Sequence, residues 1–211
     1  MDVKKYKDNG VVFVDENSVW IDDSVVIGKG TVIEPNVYLK GDTVIGDNVT
    51  VGFCTESVNS KIDNNVSIKH SVITDSEIGE GTTVGPFTYV RPNCKVGKNV
   101  KLGDFVEIKN SNIDDGTKLA HLTYVGDADV GKNINFGCGT VVVNYAGKAK
   151  HRTVIEDNAF IGCNTNLVSP VKVGKNAFTA AGSTITEDVP ENALAIARER
   201  QSIKEDWVIK R

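Results

Sequence analysis

The sequence predicts an all-β chain wound as a parallel β-helix, and three observations carry that prediction. Large aliphatics recur at every sixth residue, a smaller residue stands two positions before each, and glycines follow many of them where the chain must turn. One run is Ile21, Ile27, Ile33, Leu39, Ile45 and Val51; another is Ile78, Val84, Val90, Val96, Leu102 and Ile108. The smaller partners are Val19, Val25, Thr31, Val37, Thr43 and Val49, then Ser76, Thr82, Thr88, Cys94, Val100 and Val106. At about 100° per residue, six steps along an α-helix land on a new face each time, so no helix buries this pattern. Six is even, so in strands the repeated side chains share one side. Glycines such as Gly28, Gly46, Gly79 and Gly97 supply the corners. Three hexapeptides close one triangular coil, and coils stack at roughly 4.8 Å, placing each aliphatic over its equivalent one coil earlier. Burying each contributes on the order of 1.5–3 kcal/mol. The period does not set the handedness; ordinary parallel crossovers are right-handed.

Taken in order, the chain reads as an N-terminal approach segment (1–18), the β-helix (19–187) and a C-terminal arm (188–211). The opening MDVKKYKDNG forms a helical turn or frays, ending at Gly10. The repeat then breaks at four places. Gly52 to Lys61 is expected to be a surface loop. Five-residue steps from Ile108 to Ile113 and from Val125 to Val130 delete a corner residue and keep three sides per coil. Val142 to Thr153, VVNYAGKAKHRT, is polar and basic and projects as a loop of the kind that carries function on a solenoid. After Val189-Pro190 the period vanishes, and the tail, with both signs of charge and Trp207, reads as a short helix and an extended arm.

With 24 Lys and Arg against 28 Asp and Glu, the net charge of −4 excludes a general nucleic-acid binder. No apolar run has transmembrane length and no secretory leader opens the sequence, so the expected compartment is the cytoplasm. The four cysteines, Cys54, Cys94, Cys138 and Cys163, form no C-x-x-C pair and are expected to be reduced thiols, with Cys94 filling a small inward slot.

Arg91 and Lys109 each follow a repeat aliphatic and stand one full coil apart, so a regular coil stacks them at one corner. Two cations ~4.8 Å apart repel by ~3.5 kcal/mol at an effective dielectric of ~20. Either an anion such as a phosphate sits between them, or they splay and pair with carboxylates such as Glu107 or Asp104. His121 and Tyr124 point outward on the side leading to that corner, and Asn135 is outward one coil later. A histidine base beside a cationic corner suits amine acylation. The three histidines, His70, His121 and His151, are too far apart in sequence for the usual three-histidine zinc spacing, so no metal is expected. The GCG at 137–139 lacks the lysine and following helix of a phosphate loop and reads as corner chemistry.

GPFTYVRP (85–92), FVEIKN (105–110), KLAHLTYVGDADVGKNINFGCGT (118–140), NYAGKAK (144–150) and ENALAIAR in the tail together resemble the C-terminal acetyltransferase half of the bacterial bifunctional enzymes that make UDP-N-acetylglucosamine. The match is strong from Gly85 to Trp207; before Gly85 it is the repeat and the approach segment that are similar. The resemblance implies a left-handed β-helix, a homotrimer, and acetyl transfer from acetyl-CoA to the 2-amino group of glucosamine 1-phosphate without a metal. It implies that His121 is the general base, that Arg91, Lys109, Tyr124, Asn135 and Lys150 contact the sugar phosphate, and that Glu107 orients the amine. It places Asn144 and Tyr145 beside the acetyl thioester, with backbone donors near Tyr145 for the oxyanion. Cys163, Ala181 and Arg198 are implied to contact coenzyme A, with each site built from more than one subunit and the tail coming from a neighbour. Two positions depart from the family pattern: Cys163 stands where serine is common, and Ala146 replaces the aspartate of N-Y-D-G. No segment resembles the nucleotidyltransferase half, so formation of UDP-sugars is not expected of these residues. Two rival readings remain: a hexapeptide acyltransferase with another amine or hydroxyl acceptor, and a non-catalytic trimeric scaffold.

Overall fold

The computed structural model describes residues 3–210, and in it the chain is a left-handed parallel β-helix of about ten coils. Met1, Asp2 and Arg211, the outermost residues of the expected end segments, lie outside the described residues. Each coil has three flat sides. Face A carries the inward ladder Leu39, Ser57, Ile73, Val90, Ile108, Val125, Val142 and Leu167. Face B carries Ile45, Ile62, Ile78, Val96, Ile113, Val130 and Ile155. Face C carries Ile33, Val51, Ile68, Val84, Leu102, Leu119, Phe136 and Ile161. These side chains and the smaller residues two positions before them form one buried core along the axis, and Cys94 fills its inward slot at 1% exposure.

Two strands differ from the short ones elsewhere. Lys101–Lys109 and Lys118–Gly126, of nine residues each, run unbroken from face C around a corner onto face A and pair along their length. Phe105 and Leu122, at positive φ, make that corner. Most other corners place asparagine or glycine in the left-handed region, such as Asn99, Asn133 and Gly116, but Cys54, His70, Asp75, Phe87 and Asp127 adopt it too.

Three expectations require correction. Residues 52–61 are not a loop: Glu56–Val58 is a strand paired to Tyr38–Lys40 and Val72–Thr74, and Ser57 takes the ladder position. A serine at a position otherwise filled by aliphatics hid that strand from the periodicity. Five-residue steps also occur from Ser57 to Ile62, from Ile68 to Ile73 and from Ile73 to Ile78. The winding also passes both ends of the 19–187 range. Val12 and Phe13 pair with Val32 and Ile33, and Leu194 and Ala195 pair with Phe178 and Thr179. Phe13 and Ala195 take up the face C ladder; Phe13 stands eight residues before Ile21, and Ala195, six after Val189, is smaller than the aliphatics that mark the period. The helical turn before Gly10 is the helix Lys4–Asp8, whose Tyr6 packs over the open end of the coil with its hydroxyl donating to Val25 O at 2.9 Å. Beyond Ala197 the chain leaves the coil as an exposed arm.

Candidate active site

Face A and its two bordering corners hold most of the residues singled out in the sequence. At the corner between faces A and B, Arg91 stands directly over Lys109, because Val90 pairs with Ile108 and the Arg91 amide donates to Ile108 O at 2.9 Å. The next coil has Gly126 at this position. Lys150 reaches the same corner from the projecting loop. Its neighbouring ammonium, together with burial and Arg91, holds Lys109 below the ordinary lysine range, against the opposing pull of Asp127. Three cations therefore crowd one corner. Arg91 is paired to Glu107, Nη1 to Oε1 at 2.8 Å, and that hydrogen bond raises its pKa further. Of the two cations, Arg91 has taken a carboxylate, as the second reading expected, whereas Lys109 faces another cation.

The loop that brings Lys150 in is tied down at both ends. Arg152 Nε and Nη2 hold Asp129 at 2.5 and 2.6 Å, and its Nη1 and Nη2 donate to Asn110 O and Ala128 O, both at 3.1 Å. Asn144, 7% exposed, donates to the buried Asp127 carboxylate, which also accepts from Asn110 at 2.5 Å. Burial would raise the Asp127 carboxyl, but these amide donors and the fields of Lys109 and Lys150 outweigh it and keep it ionised. A Cβ at Gly126 would meet the Tyr124 hydroxyl at 2.4 Å and the Asn144 amide at 2.7 Å, so both groups converge over this glycine. Tyr145 is exposed and donates from its hydroxyl to Gly147 O within the loop.

The imidazole is not at that corner. His121 lies at the opposite edge of face A, on the corner with face C, in register with Asp104 one coil earlier. Its Nδ1 is 2.9 Å from Asp104 Oδ1, and this hydrogen bond holds the Asp104 carboxyl below its usual range. With Asp104 ionised, Nδ1 is the donor, which leaves Nε2 of a neutral imidazole as an acceptor. Asp104 entered the sequence reading as a partner for the cations; its partner is the histidine. The signal was present in the separation of the two residues, one coil shortened by a corner deletion, but that shortening is what concealed the stacking. Glu107 and Tyr124 occupy the middle of face A, between the imidazole and the cations.

Below His121, the corner between faces C and A continues coil by coil. Leu119 pairs with Phe136, Phe136 with Ile161, Ile161 with Thr179, and Thr179 with Ala195. The residues two positions on from these are His121, Cys138, Cys163, Ala181 and Ala197. A lane of small side chains thus runs from the imidazole to Arg198, whose Cδ would touch a Cβ at Gly182 at 3.7 Å. Cys163, Ala181 and Arg198 lie together with His121, whereas Asn144 and Tyr145 are at the other corner. Asn135 is elsewhere again, outward on face C beneath Lys118. His70 lies between Phe53, which it meets edge to face, and Phe87, to which it is tilted. Among the described residues no three His, Cys, Asp or Glu side chains converge as a metal group, and no helix is long and apolar enough to cross a membrane. A concavity of about 830 Å³ opens on face B among Lys95, Asn112, Asp129 and Val154 and contains none of the candidate residues; chemistry rather than size marks the site.

A hexapeptide repeat of bacterial transferases, described as six repeats, matches residues 24–56, 75–110 and 152–187. The chain belongs to this family of hexapeptide-repeat proteins, and within it to the GlmU-like members. It is 56% identical over 208 residues to the Bifunctional protein GlmU of Clostridium kluyveri, and 58% identical over 209 residues to that of Acetivibrio thermocellus, in each case across 99% of this chain. It spans about half the length of these relatives, 46% and 45% respectively. Among solved structures, the UDP-N-acetylglucosamine acyltransferase of Francisella novicida aligns over 86% of this chain and 66% of its own, with a TM-score of 0.54 and 19% identity, a likeness of fold.

Proposed function

We propose that this chain transfers the acetyl group of acetyl-CoA to the 2-amino group of glucosamine 1-phosphate, in the cytoplasm and as a homotrimer. The observation that carries the proposal is one face bearing a corner where Lys109 and Lys150 crowd beside Arg91 at one edge, and a carboxylate-held imidazole at the other. His121 and Tyr124 are three residues apart on one strand that turns a corner at Leu122, so their backbones are at most ~10 Å apart at ~3.3 Å per residue. That span suits a small sugar phosphate lying across Glu107 and Tyr124. Similarity to GlmU proteins over almost the whole chain supports the same substrates.

The phosphate enters between Arg91, Lys109 and Lys150 and removes their mutual repulsion. The 2-amino group then lies toward His121. Nε2 accepts a proton from the amine as its nitrogen attacks the thioester carbonyl, while Asp104 steadies the imidazolium through Nδ1. Collapse of the tetrahedral intermediate breaks the C–S bond, and the imidazolium returns the proton to the departing thiolate. The lane Cys138–Cys163–Ala181 receives the thin pantetheine arm, and Arg198 meets the phosphates of the coenzyme. Asn144, Tyr145 and Asn135 lie off this line in one chain. In the proposed trimer a neighbouring copy supplies them.

The test is product formation from glucosamine 1-phosphate and acetyl-CoA, followed by chromatography, with and without His121→Ala. The substitution lowers kcat by about 10²–10⁴-fold with an unchanged thermal melt. A loss below about tenfold removes His121 from the role, and no product from the intact chain refutes the assignment.

A further inference from the structure

Two of the four cysteines stand in the lane assigned to the acyl donor, and nothing in the proposed mechanism uses their thiols. Cys138 and Cys163 are the exposed pair; Cys94 is buried and Cys54 half-buried. Phe136 pairs in register with Ile161, so Cys138 and Cys163, two residues further on, occupy the same corner position in adjacent coils. Their backbones are linked there, with Asn164 N donating to Cys138 O at 2.8 Å. The residues that follow them, Gly139 (φ 78) and Asn164 (φ 53), share the left-handed conformation, so both Cα–Cβ bonds leave the corner in the same direction. The coils meet closely at this point: a Cβ on Gly137 would lie 2.7 Å from Cys163 Cα. In-register neighbours of a parallel sheet have Cα atoms ~4.8 Å apart, within the range of about 4.4–6.8 Å that a disulfide spans. Parallel Cβ vectors at that spacing need to converge by only ~1 Å. No other cysteine shares this corner position in a neighbouring coil.

We propose that Cys138 and Cys163 form a dithiol that low-molecular-weight disulfides convert to an intrachain disulfide across the lane, closing it to the acyl donor. The closure rests on the acyl-donor reading given above; formation of the bridge does not. In the first step the thiolate of one cysteine attacks a sulfur of the small disulfide. Its S–S bond breaks, a mixed disulfide forms on the protein, and one small thiolate leaves. The second cysteine thiolate then attacks the protein-bound sulfur and expels the other. The protein gives up two electrons and two protons, which reduce one small disulfide to two small thiols. Excess small thiol reverses both steps. Exposure gives the small disulfide access, and the neighbouring layers offer no obstruction, since Ala181 below is small and His121 above is turned to Asp104.

Oxidised glutathione is the probe, with the intact chain read by mass spectrometry and peptide mapping. The expected product has lost two hydrogens, contains a Cys138–Cys163 linked peptide and carries no glutathione; dithiothreitol restores the reduced mass. In Cys138→Ala the same treatment leaves a glutathione adduct on Cys163, because the resolving thiol is gone. A persistent adduct in the unsubstituted chain, a bridge involving Cys54, or no reaction overturns the dithiol. The second readout is acetyl transfer at fixed bridged fraction. Activity is expected to fall in proportion to that fraction and to return with dithiothreitol. A fully bridged chain with undiminished acetyl transfer overturns the closure. A reduced chain with no acetyl transfer at all refutes the proposed function instead, and the mass readout still decides the dithiol.

Discussion

Replacing Asp104 separates two contributions to base catalysis, the imidazole itself and the group that holds it. His121 and Asp104 are 59% and 43% exposed in the single chain, at 2.9 Å. The ion pair formed when His121 takes up the proton, at this exposure, stabilises by ~0.2–1 kcal/mol, which at ~1.4 kcal/mol per tenfold is a factor of ~1.4–5. The base itself is worth about 10²–10⁴, so orientation by Asp104 is the minor share. Asp104→Ala is therefore expected to lower kcat by ~1.4–5-fold. KM for the sugar phosphate stays unchanged, since Arg91, Lys109 and Lys150 are at the other edge of the face. Asp104→Asn loses less, because an amide oxygen still accepts from Nδ1–H. Steady-state kinetics with product chromatography give kcat and KM separately. A fall of ~10² or more in Asp104→Ala with His121 intact would show that the carboxylate does more than orient. Equal activity of both variants and the parent would show that it does not orient at all.

Three further outcomes follow from the electrostatics and the core. Lys109 is held below the ordinary lysine range, chiefly by Lys150, and phosphate binding needs its charged form, so KM for the sugar phosphate rises on the alkaline side as Lys109 loses its proton. Lys109→Arg keeps its charge, and its KM stays flatter with pH. Arg152→Ala frees the 143–152 loop, raises KM through Lys150, and costs ~1 kcal/mol after allowance for solvent screening of the half-exposed Asp129 pair. The Arg152 hydrogen bond lowers the Asp129 carboxyl, so this stability is present above the unfolded value of about 3.9 and is lost as pH falls through the folded value. The urea midpoints of parent and variant should accordingly converge in acid. Ser57 is fully buried in the ladder, and its hydroxyl has no hydrogen-bond partner among the described residues. Ser57→Ala removes that orphan and is expected to stabilise by ~1 kcal/mol in urea titration, and a lowered midpoint would contradict the reasoning.

The period of six, with its paired small residues, determined the strand alternation, the three-sided coil and the identity of nearly the whole core, because inward positions in a short strand follow parity alone. It also determined that Arg91 stacks on Lys109, since no shortened step separates them. It failed where chemistry at a ladder position broke the pattern, as at Ser57, and at the ends, where Phe13 stands eight residues before Ile21 and Ala195 is too small to register as a ladder aliphatic. The handedness came from the family motifs, not from the spacing. Tertiary structure decided which corner each outward residue occupies. Every deleted corner residue shifts the register by one, so the pairing of Asp104 with His121, the lane from His121 to Arg198, the placing of Lys150 against Lys109, and the meeting of Cys138 with Cys163 across a long insertion depend on sums of steps that only the wound coil makes visible.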